Sequence, residues 1–241
     1  MTLWTRLYNG TLKVFGDLKI FKFPFFILYD PGSYLIKGDE TREVMNALKP
    51  GDILVRGYKN YLDSYFIPGF FTHTGLYVGN VPNEDNVMLL PSAKDKFYAE
   101  GEQIVIHAMA EGVFMEDLLN FCRCDYLLIL RSPEVTQDNV NQIYNRALMN
   151  LGTPYDFRFD FSRYNNLSCT EFVYVCLEDI LVKSGVKLRD RRAPLTKRPT
   201  LIPDDFIDSA LEIVWQSKTI PEGMVNKIRN DAQKKFLASL D

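Results

Sequence analysis

Three side chains of this sequence could together carry out nucleophilic chemistry: Cys169, His73 and His107. The chain holds two histidines in 241 residues. His73 lies in Thr72-His73-Thr74-Gly75-Leu76-Tyr77-Val78-Gly79, and His107 lies in Ile104-Val105-Ile106-His107-Ala108. Cys169 begins the stretch Ser168-Cys169-Thr170-Glu171-Phe172-Val173. A thiol attacks a carbonyl as its thiolate, so it needs a base. Imidazole suits that task because its pKa lies near neutrality. The base needs its second ring nitrogen held by a further polar group. Taken singly, each of the three reads as a satisfied core residue. Taken together they read as nucleophile, base and orienter.

The flanking residues say how the three would be positioned. Ser168-x-x-Glu171 is a capping box, with Ser168 as N-cap and Cys169 in the first helical position. Unpaired amides and the helix dipole there favour thiolate over thiol. Phe172, Val173, Cys176, Leu177, Ile180 and Leu181 form the apolar stripe that seats this helix. Alternating residues predict strands over 72–78 and 104–108, with further strands at 53–55 and 126–131. Pairing of the two histidine strands sets His73 beside His107, which makes His73 the base and His107 its orienter. Helices are expected near 40–48, over 138–151, and after Pro203 and Pro221. Residues 58–71 read as an aromatic loop, and 80–103 as a long polar segment that could serve as a lid.

Bulk properties exclude several classes. A net charge of -3 gives no call for nucleic acid, and the basic cluster Arg189 to Arg192 with Lys197 and Arg198 reads as a solvated loop. The four cysteines, Cys122, Cys124, Cys169 and Cys176, have no spacing that suits a disulfide framework. No familiar zinc-ligand spacing is present, so neither metal nor cofactor is expected. The first residues lack the apolar run of a signal peptide, and no stretch is long enough to span a bilayer. A cytoplasmic location is expected, unless an export signal preceded this chain. Oligomeric state is not legible.

Five segments occur in a characteristic order: Gly51-Asp52-Ile53-Leu54, His73-Thr74-Gly75-Leu76-Tyr77-Val78-Gly79, Val105-Ile106-His107-Ala108, Tyr155-Asp156 and Ser168-Cys169-Thr170-Glu171-Phe172-Val173. In this order the chain resembles the circularly permuted NlpC-like papain-fold cysteine hydrolases, a group that includes YiiX-like hydrolases and lecithin retinol acyltransferase-like proteins. Both histidines precede the cysteine, as in the permuted form. The resemblance implies an α+β fold with an antiparallel sheet of five or six strands packed on helices. It implies Cys169 as nucleophile, His73 as base and His107 as third polar residue. Tyr155 or Tyr164 is a candidate to reach the oxyanion. The expected organisation is an extension over 1–47, a catalytic domain over 48–212 and a peripheral helix over 213–241. The expected substrate is a peptide or other amide, with a lipid acyl group or a non-catalytic ligand as alternatives.

Overall fold

The computed structural model describes residues 34–59, 67–80, 101–193 and 196–237, with the backbone of short strands at 18–21, 26–29, 88–89 and 96–97. Residues 60–66 of the expected aromatic loop and most of the expected lid segment lie outside the described residues.

Strands β1 (Leu18–Phe21) and β2 (Phe26–Tyr29) form a separate antiparallel pair, followed by helix α1 (Gly38–Ala47). Next come β3 (Ile53–Gly57), β4 (His73–Asn80), the short pair β5 (Met88–Leu89) and β6 (Lys96–Phe97), then β7 (Gln103–Met109) and β8 (Gly112–Asp117). A one-turn helix α2 (Leu118–Phe121) leads to β9 (Tyr126–Arg131), α3 (Gln137–Met149) and α4 (Cys169–Lys183). The chain closes with the hairpin β10 (Arg189–Ala193) and β11 (Thr196–Thr200), α5 (Pro203–Ile207), β12 (Glu212–Gln216) and α6 (Met224–Leu237). Six strands make one antiparallel sheet in the order β12-β9-β3-β4-β7-β8. The expected α+β architecture is therefore present.

Strict alternation divides this sheet into two faces. Ile53 and Val55, Leu76, Ile104 and Ile106, Leu128 and Leu130 join the core under α3, α4 and α5. Leu54, Tyr77, Val105, Leu127 and Ile129 face the opposite way, against α1 and α2. The sheet is thus buried on both sides. Gly75 has the parity of Tyr77, and a Cβ there would meet Phe121 and Val105 side chains at 2.7 Å. Only hydrogen at that position lets Phe121 lie flat on the sheet.

Helix α4 is buried on nearly every side, and Phe172, Val173 and Leu177 anchor it to the core. Full burial of such side chains stabilises by roughly 1.5–3 kcal/mol each. The helix ends in a Schellman motif: Val186 N–H donates to Leu181 O at 2.9 Å and Gly185 N–H to Val182 O at 3.1 Å. Gly185 takes φ +80° to make that turn.

The structure departs from the sequence expectation in several elements. Strand β8 and the edge strand β12 were not foreseen. The basic cluster is a hairpin rather than a solvated loop, and Arg189, Arg191 and Arg198 have carboxylate partners. Arg189 and Arg191 pair with Asp205 at 3.2 and 2.5 Å, Arg189 also with Asp208, and Arg198 with Asp160 at 3.3 Å. Among the described residues, no helix is long and apolar enough to cross a membrane.

Candidate active site

Cys169 stands in the first turn of α4, as the capping box predicts. Ser168 Oγ accepts from Glu171 N–H at 3.4 Å, and Glu171 Oε2 accepts from Ser168 N–H at 2.7 Å. The thiol is 1% exposed. Burial pushes its pKa up from the ordinary value, while the backbone N–H and hydroxyl of Thr74 and the backbone N–H of Thr170 act against that rise. The Thr74 hydroxyl faces the sulfur without a well-formed hydrogen bond. The expectation that the helix start would favour the thiolate is therefore outweighed in this state. Desolvation of a buried anion exceeds what a few N–H dipoles return.

Strand β4 explains why Thr74 can serve the sulfur. It pairs with β3 from Leu76 through His73, opposite Ile53 through Arg56. Its pairing with β7 begins only at Leu76, opposite Ile106. At Thr74 the two strands have parted, so that its N–H is turned to Cys169 instead of a ladder partner. The approach to His73 is clamped by Asp204, whose carboxylate accepts from Phe70 N–H at 2.9 Å and Phe71 N–H at 3.0 Å.

The two histidines meet, as the strand pairing predicts. His73 Nε2 lies 2.8 Å from His107 Nδ1. His107 is 0% exposed and His73 9%. Burial, the charge of Arg56 and the neighbouring His107 hold His73 well below the ordinary imidazole value. His107 is also lowered by burial, against an upward pull from Glu116. Both rings are therefore neutral at pH 7. No hydrogen bond joins the thiol to the His73 ring in this structure; the sulfur lies instead beside the His73–Thr74 peptide.

Sequence reasoning missed the groups beyond His107. Its Nε2 lies 3.2 Å from Glu116 Oε2, on strand β8. Arg56 Nη1 lies 3.7 Å from the same oxygen and donates to Phe121 O at 3.0 Å. The guanidinium sits 4.2 Å from the centre of the Phe121 ring. The turn Glu111-Gly112 followed by the short apolar run Val113, Phe114 and Met115 was the signal for this strand.

Tyr155 packs with Phe157 and Phe159 at centroid distances of 4.8 and 6.5 Å. Tyr164 is 44% exposed and faces Glu178 and Glu171. Cys122, Cys124 and Cys176 are buried free thiols; burial raises Cys122 and Cys176 to about 12. They belong to the buried core.

A family model described as "Permuted papain-like amidase enzyme, YaeF/YiiX, C92 family" matches residues 47–211. No curated protein sequence matches. Among solved structures, the chain is similar to one titled as the metalloprotein yiiX from Escherichia coli O157:H7. That likeness has 16% identity and a TM-score of 0.53, and it covers 70% of this chain and 97% of the other. At that identity it bears on the fold. Among the described residues here, no group of three His, Cys, Asp or Glu is arranged to hold a metal ion. The facing nitrogens of His73 and His107 are taken up by each other. Matched over most of its length and folded around a buried cysteine that opens a helix against an antiparallel sheet, this chain belongs to the YaeF/YiiX family of permuted papain-like amidases and is a cysteine hydrolase of amide bonds.

Proposed function

We propose that Cys169 is the nucleophile of that hydrolysis, His73 its base and acid, and His107 the group that orients His73. The observation that carries this reading is the 2.8 Å contact of His73 Nε2 with His107 Nδ1; the next residue along the strand, Thr74, turns its backbone toward the Cys169 sulfur. With one ring nitrogen held, the other is the one free to exchange a proton with the thiol.

The resting pair is neutral, so proton transfer accompanies attack. His73 takes the S–H proton as sulfur bonds to the amide carbon, and the carbonyl becomes an oxyanion. The backbone N–H of Cys169, at the start of α4, is the donor best suited to hold it. Collapse breaks the C–N bond, and His73 returns the proton to the leaving amine. His73 then deprotonates a water that attacks the thioester, and the C–S bond breaks to give the acid and the free thiol. A short peptide or acyl-amide is the substrate class.

The test is turnover of a peptide-amide panel and an acyl-lipid panel, with mass spectrometry of the quenched protein. Amide cleavage with a transient acyl adduct on Cys169 is expected. Acyl release from lipid alone would replace the substrate class, and an adduct on any other residue would overturn the assignment of Cys169.

A further inference from the structure

We propose that Glu116 is a positioning residue that selects, through His107, the nitrogen of His73 that acts as the base. This rests on the roles of Cys169 and His73 given above.

The argument is one of proton accounting. His107 Nε2 is fully buried, and the group facing it is Glu116 Oε2 at 3.2 Å. A carboxylate accepts hydrogen bonds and donates none. A lone pair set against it would be repelled, so His107 carries its proton on Nε2. Neutral His107 then presents a lone pair at Nδ1, and His73 Nε2, 2.8 Å away, must be the donor across that contact. Neutral His73 has a single N–H, and this uses it. Its Nδ1 is left as a lone pair, the state a base requires. The protons of the line are set on the Glu116 side, where Glu116 Oε2 stands 3.2 Å from His107 Nε2 without a well-formed hydrogen bond, and the basic site appears at the opposite end.

Arg56 completes the device. It lies 3.7 Å from the same Glu116 oxygen and is itself buried against Phe121. Its charge favours the carboxylate form of Glu116, 3.7 Å away, and disfavours a second proton on either ring. Without an acceptor-only carboxylate at position 116, His107 is free to take the other tautomer. It would then donate from Nδ1 to His73, move the His73 proton to Nδ1, and leave no base for the thiol. Register places the carboxylate correctly: on β7 and β8 His107 is opposite Phe114, and Glu116 is the diagonal neighbour on the same face.

The test uses untagged full-length protein with nitrogen-15 in its histidines. Because the chain has two histidines, the long-range proton–nitrogen spectrum contains two imidazoles. The expected result in the wild type is a proton on Nε2 and a lone pair on Nδ1 in both rings. A wild-type His73 protonated at Nδ1 overturns the proposal whatever the activity. The second arm is Glu116→Gln, which keeps size and hydrogen bonding but loses the charge. It should redistribute the His107 tautomers and lower kcat by about 10²-fold at a nearly constant KM. The acid limb of its pH–rate profile should move down, because among the groups facing His107, which include Arg56 and Glu111, Glu116 pulls the ring pKa up. Wild-type tautomers together with a wild-type pH profile in Glu116→Gln would overturn it. If no protein turns over an amide, the assigned catalytic roles fail, and the tautomer spectra still decide the part played by Glu116.

Discussion

His73 Nε2 and His107 Nδ1 are 2.8 Å apart, with their ring planes at 83° to each other. Near-perpendicular rings let one N–H point in line at the other's lone pair, and the Phe121 ring packs against both, 6.0 and 5.2 Å away. The pair is locked in place by packing, so the two histidines should differ in what their loss costs. Cys169→Ala and His73→Ala are expected to remove turnover of an amide substrate. His107→Ala removes only orientation and should leave activity lowered by about 10²-fold. Initial rates at saturating substrate decide this. Full activity in Cys169→Ala would end the scheme, and wild-type rates in His107→Ala would end the orienting role.

The resting thiol should be sluggish. Cys169 is buried and its pKa is raised, while His73 is lowered, so no thiolate–imidazolium pair forms at rest. Alkylation at Cys169, mapped by mass spectrometry over a pH series, should reach half its limiting rate above the ~8.5 of a free cysteine. Cys122 and Cys176, at about 12, should react later still. Rapid labelling of Cys169 at pH 6 would refute a neutral resting site.

Glu171 makes stability depend on pH. Burial, offset by Ser168 and reinforced by Asp156, pushes its carboxyl from an ordinary 4.5 up to about 8. The folded protein therefore holds a proton that the unfolded chain releases. The contribution is complete below pH 4.5 and is lost as pH rises through about 8. Glu171→Gln keeps an acceptor for the Ser168 N–H and removes the titration. Urea unfolding at pH 5, 7 and 9 should show a flatter stability profile for the variant, and an unchanged slope would contradict the assignment.

Gly75→Ala tests the packing under the histidines. Its new methyl would lie 2.7 Å from Phe121 and Val105 side-chain atoms. Overpacking of this kind costs about 1–3 kcal/mol. Because Phe121 also touches both imidazoles, kcat should fall along with the denaturant midpoint. A variant as stable and as active as the wild type would show that Phe121 is not held as described.

Much of the site was legible because it rests on local chemistry. The capping box around Cys169 follows from Ser168 and Glu171, three residues apart, and it formed as read. The meeting of His73 and His107 followed from two apolar runs that could only be strands, and β4 and β7 do pair. Glu116 was missed because β8 follows β7 after a tight turn and its apolar run, Val113 to Met115, is short and does not alternate. The role of Arg56 was missed because a buried arginine is recognised by what surrounds it, and Phe121 and Glu116 lie far along the chain. The basic hairpin was misread for the same reason: Arg189 and Arg191 find Asp205 only after α5 folds against them.

By itself the sequence carried the α+β architecture and the family, and it singled out Cys169, His73 and His107 as candidates, because each depends on residue type, periodicity or order along the chain. Only the tertiary structure decided the protonation of the site. The pKa of Cys169 and the states of His73 and His107 depend on how deeply the fold buries them and which way Arg56 and Glu116 face. Desolvation and Coulomb forces act through space, between residues whose distances no spacing in the chain records.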